Sequence, residues 1–238
     1  MKIALIGYGK MGKAIEEIAL KKGHAIALKI TSKNQEKLTI EDLKKADVAI
    51  EFTNPESAAG NILLCLKAGV PVISGTTGWL KHLEEIKSKC MSLDGSFLYA
   101  SNFSVGVNIF FELNKRLALL MNKHSEYDVR IEETHHTQKK DAPSGTAITL
   151  AEGILDQNDS KTKWVNNVAA TEDELSILSH RIDAVPGTHS VKYSSEIDDI
   201  EIIHTAHNRM GFAQGAVLAA EYIAGRKGIF SMKDVLGI

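Results

Sequence analysis

The start of the chain carries the feature that most restricts the possible fold. The apolar segment at residues 2–6 predicts a short strand, and the turn Gly7-Tyr8-Gly9-Lys10-Met11-Gly12 follows it directly. Apolar residues then recur at helical spacing, at Ile15 and Ile18. A strand, a G-x-G-x-x-G turn and a helix in this order are typical of a site for the pyrophosphate of a dinucleotide. The sequence therefore predicts a dinucleotide-binding unit at this end.

Each glycine of this turn has an expected task. Gly7 should make the tight turn, Gly9 should let the backbone approach the pyrophosphate, and Gly12 should allow the helix to pack closely on the strand. Lys10 and Met11 lie inside the same turn, so we expect them to contact the cofactor as well.

Four further apolar segments, at 25–30, 48–52, 70–74 and 97–100, predict the rest of a sheet. They alternate with helical segments and end in polar turns, which indicates a doubly wound parallel sheet of the α/β class, a Rossmann-like fold. Ligands of such sheets bind at the carboxyl ends of the strands. The cofactor contacts predicted at those ends are Phe52, Thr53, Gly75, Thr76, Thr77, Ser101, Asn102 and Phe103.

The stretch Glu132–Ala147 contains two imidazoles, two ammonium groups and three carboxylates. A strand is predicted before it and a helix start at Ser144-Gly145-Thr146, so the ionisable groups are expected in a loop. Free backbone N–H groups at that helix start would attract an anion, and Lys139 would add a full charge. A histidine titrates in the range that a proton donor needs. The stretch predicts a site for a small di-anionic substrate.

A different pattern begins at Gly106. A long helix is predicted there, and after the Glu132–Ala147 stretch come three strand-like segments, 176–184, 189–195 and 200–207, without helices between them. This order indicates a second, α+β domain built on a mixed or antiparallel sheet.

Composition and charge exclude several classes. The 238 residues carry a formal net charge of −2, whereas a nucleic-acid scaffold normally has a strong basic excess. No apolar run is long enough to span a bilayer, and the first one is too short for a signal peptide. Two cysteines imply no disulfide framework. We expect a cytoplasmic protein with neither nucleic-acid nor membrane partners.

Nine histidines raise the question of a metal site. His189, His204 and His207 are possible ligands, but adjacent His135 and His136 would point in different directions from an extended segment. No H-E-x-x-H pattern is present. We therefore expect no metal, and buried polar contacts for His204 and His207.

The pattern His-His-x-x-Lys-x-Asp-x-Pro-Ser-Gly-Thr-Ala, at residues 135–147, resembles the hallmark of the dihydrodipicolinate reductase family, nicotinamide-dependent enzymes of lysine and diaminopimelate synthesis. Asn158–Leu175 resembles no part of the family, and Asp183 departs from its Arg-x-Gly pattern. Further segments that resemble the family are Glu51-Phe52-Thr53, Gly75-Thr76-Thr77-Gly78, Asn102–Gly106, Val185–His189 and His207–Ala216.

The resemblance implies an enzyme that reduces 4-hydroxy-tetrahydrodipicolinate (dihydrodipicolinate), a small di-anionic cyclic substrate, to tetrahydrodipicolinate with NADPH or NADH. It implies that His135 is the general acid and that Lys139 stabilises developing charge and holds a carboxylate. His136 and the amides of Ser144, Gly145 and Thr146 would bind the carboxylates. Arg209 and Phe212 would join the cofactor contacts.

The resemblance also implies that the C-terminal segment returns to the first domain. We therefore expect a dinucleotide-binding domain at 1–105 and 208–238, and a substrate-binding and oligomerisation domain at 106–207. The family assembles as homotetramers through the second sheet. Alternating apolar residues, Val191 with Tyr193 and Ile200 with Ile202, predict a bare apolar sheet face for this contact.

Two other functions remain open. Another Rossmann-fold amino-acid or imine dehydrogenase, such as an aspartate dehydrogenase, would share the glycine-rich turn but should lack the His-His-x-x-Lys pattern. A non-catalytic NAD-binding protein would bind the cofactor without turnover.

The segment after the second predicted strand bears on the choice of cofactor. NAD-specific sites place an acidic residue there to bind the ribose 2′-hydroxyl, but Thr31-Ser32-Lys33-Asn34 contains none, and Glu36 comes several residues later. Ser32 and Asn34 could donate hydrogen bonds to a 2′-phosphate, and Lys33 could pair with its charge. We expect both cofactors to be used, with NADPH at least as good as NADH.

Overall fold

The computed structural model describes residues 1–34 and 38–238. The chain divides into two compact units, which are described separately. Unit 1 contains residues 1–105 and 209–238, and unit 2 contains residues 106–208. No helix among the described residues is long and apolar enough to cross a membrane.

Unit 1 is built on a six-stranded sheet in which all neighbouring strands are parallel. The strand order is β11-β5-β4-β3-β1-β2. From β1 the chain continues to β2, at one edge of the sheet, and then to β3, on the other side of β1. This reversal of strand order is the switch point where ligands of such sheets bind. The strands are β1 (Lys2–Ile6), β2 (Ala25–Ile30), β3 (Val48–Glu51), β4 (Val72–Ser74), β5 (Ser96–Tyr99) and β11 (Gly228–Phe230).

Helices cover both faces of this sheet, because alternate residues of each strand point to opposite sides. Ala4 and Ile6 pack in one hydrophobic cluster with α3 and α4, whereas Ile3 and Leu5 pack in another with α1 and α7. This arrangement confirms the predicted doubly wound α/β fold. The helices of unit 1 are α1 (Lys10–Lys21), α2 (Ile40–Leu43), α3 (Pro55–Lys67), α4 (Leu83–Ser92), α7 (Met210–Ile223) and α8 (Met232–Leu236).

Unit 2 is built on a five-stranded mixed sheet in the order β10-β9-β6-β8-β7. β6 lies in its centre, antiparallel to β9 and parallel to β8. This confirms the prediction of a second α+β part with a mixed sheet. Its elements are α5 (Val105–Met121), β6 (Asp128–His135), α6 (Gly145–Leu155), β7 (Lys163–Val165), β8 (Glu174–Arg181), β9 (Gly187–Ser194) and β10 (Asp199–Ala206).

Helices α5 and α6 cover one face of the mixed sheet, and the open face differs from our expectation. Val191 and Tyr193 are fully buried under the helices, and Ile202 packs against the same core. Ile200 lies opposite Tyr193 in the ladder, so it belongs to the covered side as well. The open face carries mainly polar residues, with Ile203 as an apolar exception that is 58% exposed. The prediction of an apolar open face was wrong. The register between β9 and β10 decides which of their alternating side chains point to the helices, and it places the apolar ones on the covered side.

The segment Asn158–Leu175 is anchored by a buried lysine. Nζ of Lys161 donates hydrogen bonds to the Asp128 carboxylate at 2.7 Å and to the backbone carbonyls of Glu172 and Glu174 at 2.8 and 3.1 Å. These contacts place β7 at the edge of the sheet, where it pairs with β8. This strand was not predicted, because its alternation of apolar and polar residues covers too few positions to be recognised.

Candidate active site

The glycine-rich turn of unit 1 is folded as the strand–turn–helix pattern requires. Gly7 has φ +97°, and a Cβ on it would lie 1.8 Å from the carbonyl oxygen of Phe52. A Cβ on Gly12 would lie 2.5 Å from the carbonyl oxygen of Gly7. Both positions therefore need glycine, whereas a Cβ on Gly9 would meet open space. Open space at Gly9 fits a group that approaches the backbone from outside.

Two adjoining cavities lie at the carboxyl ends of β1, β2, β3 and β4. The smaller, of about 200 Å³, includes Tyr8, Ser32 and Asn54 in its lining. The larger, of about 490 Å³, brings together nine of the predicted cofactor contacts. These are Gly7, Gly9, Lys10, Met11, Phe52, Thr53, Gly75, Thr76 and Thr77.

A buried carboxylate holds this region together; we had named it only as part of the segment Glu51-Phe52-Thr53, without a role. Glu51, the last residue of β3, is fully buried. It accepts hydrogen bonds from the hydroxyls of Ser74 and Thr76, at 2.6 and 2.8 Å, and from the N–H and hydroxyl groups of Thr53. The carboxylate thus fixes the ends of β3 and β4 relative to each other. The feature of the sequence that could have revealed this role is an acidic residue, Glu51, at the end of an otherwise apolar strand.

Seven predicted cofactor contacts line neither cavity: Gly12, Lys33 and a further five, Ser101, Asn102, Phe103, Arg209 and Phe212. Phe103 is 1% exposed and packs against Phe52 at a ring-centroid distance of 5.7 Å, so its side chain belongs to the core. The predicted cofactor contact at this position would have to involve the backbone rather than the side chain. Asn102 is also buried, and its side-chain oxygen accepts a hydrogen bond from the N–H of Ser104 at 2.9 Å. The other three, which are not fully buried, are Ser101, Arg209 and Phe212.

The loop after β2 is held by its own side chains. Oδ1 of Asn34 accepts a hydrogen bond from the N–H of Thr31 at 2.6 Å, and its amide nitrogen donates to the carbonyl of Lys29 at 3.1 Å. The side chain of Asn34 therefore stabilises the loop, and both of its polar ends already have partners within the protein. Ser32 and Lys33 are exposed, and Glu36 lies outside the described residues.

We had expected His135 to lie in the loop. In unit 2 it is instead the last residue of β6. Pairing with β8 extends the strand to this residue, so the ring is only 8% exposed. Burial lowers the pKa of His135 to about 4, and nearby His189, Lys139 and Arg181 act in the same direction. Glu133 opposes this shift. The free protein therefore holds a neutral imidazole at neutral pH.

Glu133 is the centre of a buried polar cluster. Its carboxylate oxygens accept the N–H of Ser144, both at 3.1 Å, and Oε1 pairs with the Arg181 guanidinium at 3.1 Å. Oε2 lies 3.4 Å from Nδ1 of His135 and 3.6 Å from Nε2 of His189. Burial alone would raise the pKa of Glu133, but the His189, Ser144 and other polar contacts outweigh it and hold the pKa well below its usual range. The carboxylate is therefore ionised.

Glu133, His135 and His189 approach the spacing of a metal site, with ligand atoms within 4.8 Å of one another. Their other contacts disfavour a cation. The Arg181 guanidinium already neutralises Glu133, and the Ser144 hydroxyl lies 3.1 Å from Nε2 of His189. A metal ion would have to displace both contacts and lie close to a fixed positive charge. We keep the prediction that no metal binds here.

Lys139 lies in the loop after β6 and forms an ion pair with Asp141, at 2.8 and 2.9 Å from the two carboxylate oxygens. Its side chain is 22% exposed, whereas Lys140 is exposed. A substrate carboxylate can therefore reach the ammonium group of Lys139 but has to share it with Asp141. His136 is half-buried at the start of the same loop.

The start of α6 differs in part from the expected anion site. The N–H of Ser144 donates to Glu133, and its hydroxyl accepts the N–H of Ala147 at 3.2 Å as the helix cap. Ser144 is therefore used within the protein and is not a free donor, which contradicts its predicted role. Gly145 is exposed and Thr146 half-buried in the first turn. These two remain the candidates for contact with an anion.

Asp183, the departure from the family pattern, has a structural use. Its carboxylate accepts a hydrogen bond from the hydroxyl of Thr137, which ties the loop after β6 to the turn after β8. Arg181 adds a second tie, since it donates to the carbonyl of Asp141 at 2.6 Å. The loop that carries Lys139 is thus fixed from two sides.

The fold of unit 1 and its glycine-lined cleft define the class: this is a Rossmann-fold protein with a dinucleotide-binding site. The family model described as dihydrodipicolinate reductase, N-terminus, matches residues 1–103, and the one described as dihydrodipicolinate reductase, C-terminus, matches residues 106–236. The chain therefore belongs to the dihydrodipicolinate reductase family.

Individual relatives agree with this assignment. The 4-hydroxy-tetrahydrodipicolinate reductase of Christiangramia forsetii is 53% identical over 236 residues, covering 99% of this chain and 98% of the relative. That of Methanoculleus marisnigri is 42% identical over 199 residues, covering 82% and 77%. The fold resembles that of a dipicolinate-bound dihydrodipicolinate reductase from Paenisporosarcina sp. TG-14, with a TM-score of 0.75, 24% identity and 97% of each chain covered.

Proposed function

We propose that the protein reduces 4-hydroxy-tetrahydrodipicolinate (dihydrodipicolinate) to tetrahydrodipicolinate with NADPH or NADH, as a step of lysine and diaminopimelate synthesis in the cytoplasm. The observation that carries the proposal is a buried histidine beside an accessible lysine in a chain whose relatives are named for this activity. Unit 1 binds the cofactor and unit 2 binds the substrate. The family assignment favours this function over an aspartate dehydrogenase or a non-catalytic NAD-binding protein.

His135 and Lys139 act on the substrate ring in this proposal. A bound reduced nicotinamide supplies the hydride, which adds to one ring carbon. His135 gives a proton to the neighbouring carbon, and Lys139 holds a carboxylate and stabilises developing charge. His136, Gly145 and Thr146 bind the carboxylates. Because the di-anionic substrate brings negative charge next to His135, it raises the pKa of the ring and favours its protonated form.

The residues of the larger cavity fit a dinucleotide. Gly7 and Gly9 bring bare backbone to the start of α1, where the helix dipole favours a pyrophosphate. Gly75 and Thr77 offer polar groups to the nicotinamide carboxamide at the end of β4, and Thr53 and Thr76 line the same cavity with their hydroxyls bonded to Glu51.

A coupled assay tests the function. The purified protein is mixed with dihydrodipicolinate synthase and its substrates, and the absorbance of the reduced cofactor is followed. Loss of absorbance that requires both enzymes is the expected result. Oxidation of cofactor with aspartate-derived oxo acids instead, or binding without turnover, would overturn the proposal.

The loop after β2 leads to a prediction about cofactor preference. No carboxylate among Thr31 to Asn34 repels a 2′-phosphate, so kcat/KM with NADPH should equal or exceed that with NADH. Lys33→Ala should cost NADPH more than NADH, by roughly 1 kcal/mol for an exposed charge-assisted contact. NADH serves as the internal control. A tenfold or greater preference of the wild type for NADH, about 1.4 kcal/mol, would contradict this.

We also predict a homotetramer that forms through the mixed sheet. The family resemblance carries this prediction, since the open face of the sheet is mainly polar, with Ile203 as its exposed apolar residue. A polar interface with few apolar contacts is compatible with assembly if its hydrogen bonds are satisfied. Light scattering after size exclusion at micromolar concentration should give four times the monomer mass. A stable, active monomer would disprove it.

A further inference from the structure

The catalytic histidine has two ring nitrogens in different surroundings. Nδ1 of His135 is completely buried and lies 3.4 Å from Oε2 of Glu133, without a well-formed hydrogen bond to any described residue. On the other side of the ring, Nε2 lies 3.0 Å from where a Cβ of Gly187 would be. The missing side chain at Gly187 leaves room around Nε2. The nitrogen available to a substrate is therefore Nε2, and the enclosed nitrogen faces a carboxylate.

This carboxylate is itself held rigidly by groups from three other elements. The Ser144 N–H at the start of α6 and the Arg181 guanidinium at the end of β8 both donate to Glu133. His189 of β9 lies 3.6 Å from the same oxygen that faces His135. Glu133 is 1% exposed, so water does not screen its charge from the His135 ring, and the surrounding contacts hold its side chain in one rotamer.

We propose that Glu133 is a positioning residue for His135, because its carboxylate keeps a proton on Nδ1 and leaves Nε2 to carry the proton that goes to the substrate. This inference rests on the proposed function. Nδ1 lies 3.4 Å from the carboxylate oxygen in the free protein, and catalytic hydrogen bonds that are long in the free enzyme commonly tighten when the substrate binds. A carboxylate that fixes the tautomer of a catalytic histidine is well known from other enzymes.

The proton balance of the step follows. With substrate bound, the imidazolium carries protons on Nδ1 and Nε2. The 4-hydroxy ring first loses its hydroxyl and one hydrogen as water, which leaves the dihydropyridine ring. The hydride from NADPH or NADH adds to one carbon of that ring, and the Nε2–H bond of His135 breaks as its proton forms a new C–H bond at the neighbouring carbon. The dihydropyridine ring thus gains two hydrogens and the cofactor is oxidised. His135 returns to the neutral form with its proton on Nδ1, facing Glu133. The proton then regained on Nε2 comes from solvent.

The charged and titratable groups that face His135 are Glu133 on its own strand, His189 on β9, Arg181 on β8 and Lys139 in the loop. Glu133 is the one that favours a proton on the ring, and the other three oppose it. Loss of the Glu133 charge should therefore change both the tautomer and the protonation of His135, whereas loss of a purely structural contact would change neither.

Three variants test this inference: Glu133→Gln, Glu133→Asp and the matched control Glu132→Gln. Glu132 is the neighbour of Glu133 but lies on the other face of β6, beside Arg130 at 3.0 Å. The ¹⁵N shifts of the His135 ring at neutral pH, without substrate, report which nitrogen carries the proton. We expect the Nδ1–H form in wild type, Glu132→Gln and Glu133→Asp, and its loss in Glu133→Gln.

Turnover gives the second readout. We expect kcat of Glu133→Gln to fall at least tenfold, with the decline of activity at high pH moved to lower pH, while Glu133→Asp restores part of the activity. An unchanged tautomer in Glu133→Gln, or a loss of kcat that is equal at all pH values, would overturn the inference. If the wild type shows the Nδ1–H form but no turnover of the proposed substrate, the proposed function fails and the tautomer assignment stands.

Discussion

Replacement of His135 by glutamine should lower kcat by about 10²–10⁴, the usual contribution of a positioned acid–base group. Glutamine keeps a polar side chain at the end of β6 but cannot deliver a proton. The cofactor cleft belongs to unit 1, so the dissociation constant for NADPH should stay nearly unchanged. Stopped-flow turnover and fluorescence titration with NADPH measure the two quantities separately.

The pH profile sharpens this prediction. Burial, followed by His189, lowers the pKa of His135 to about 4 in the free enzyme. Above that pH the ring is neutral, and one proton has to be taken up before the transition state. The value of kcat/KM, which reports the free enzyme, should therefore fall about tenfold per pH unit above about pH 4, and His135→Gln should lose this slope. Near wild-type turnover in His135→Gln would remove His135 from the mechanism.

Lys139→Ala should lower kcat by a similar factor of about 10²–10⁴ and should also raise KM. The ammonium group is partly exposed and fixed by Asp141, which makes it available to a substrate carboxylate at a defined position. Lys140 is the matched control, because it is the next residue, has the same charge and is exposed. We expect Lys140→Ala to be nearly silent in kcat and KM.

The two lysine variants also test the alignment of the motif. The spacing Lys-x-Asp-x-Pro-Ser-Gly selects Lys139, and the ion pair with Asp141 involves the same residue. If Lys140→Ala were the damaging change and Lys139→Ala the mild one, the assignment of the anion-binding lysine would be wrong. Circular dichroism of both variants should show that the fold is intact.

Local patterns were sufficient to predict most of unit 1. The predicted segment 25–30 coincides with β2, and the glycine-rich turn has the expected steric constraints at Gly7 and Gly12. Parallel strands that are buried on both faces give continuous apolar runs, which are easy to recognise. β11 was missed because it has only three residues and pairs with β5 from the far end of the chain.

The polar cluster of unit 2 could not be predicted to the same degree. Glu133, Arg181 and His189 are far apart in sequence and meet because β8 and β9 both pair with β6. The use of the Ser144 amide by Glu133 depends on the same pairing. Local spacing indicated which residues are chemically important, but it contained no information on which of them neutralise one another in the interior.

The side chains that face the helices along β6 change in character part-way along the strand. Val129 and Ile131 belong to the hydrophobic core, and Glu133 and His135 continue the same row as ionisable groups. A slip of one residue would turn this row to the open face and bring Thr134 and His136 in its place. Because β6 is bonded on both edges, sliding it would break two ladders at once. The position of the proposed proton donor, His135, thus depends on the strand register, so single-residue insertions in β6 should abolish activity even where the chain still folds.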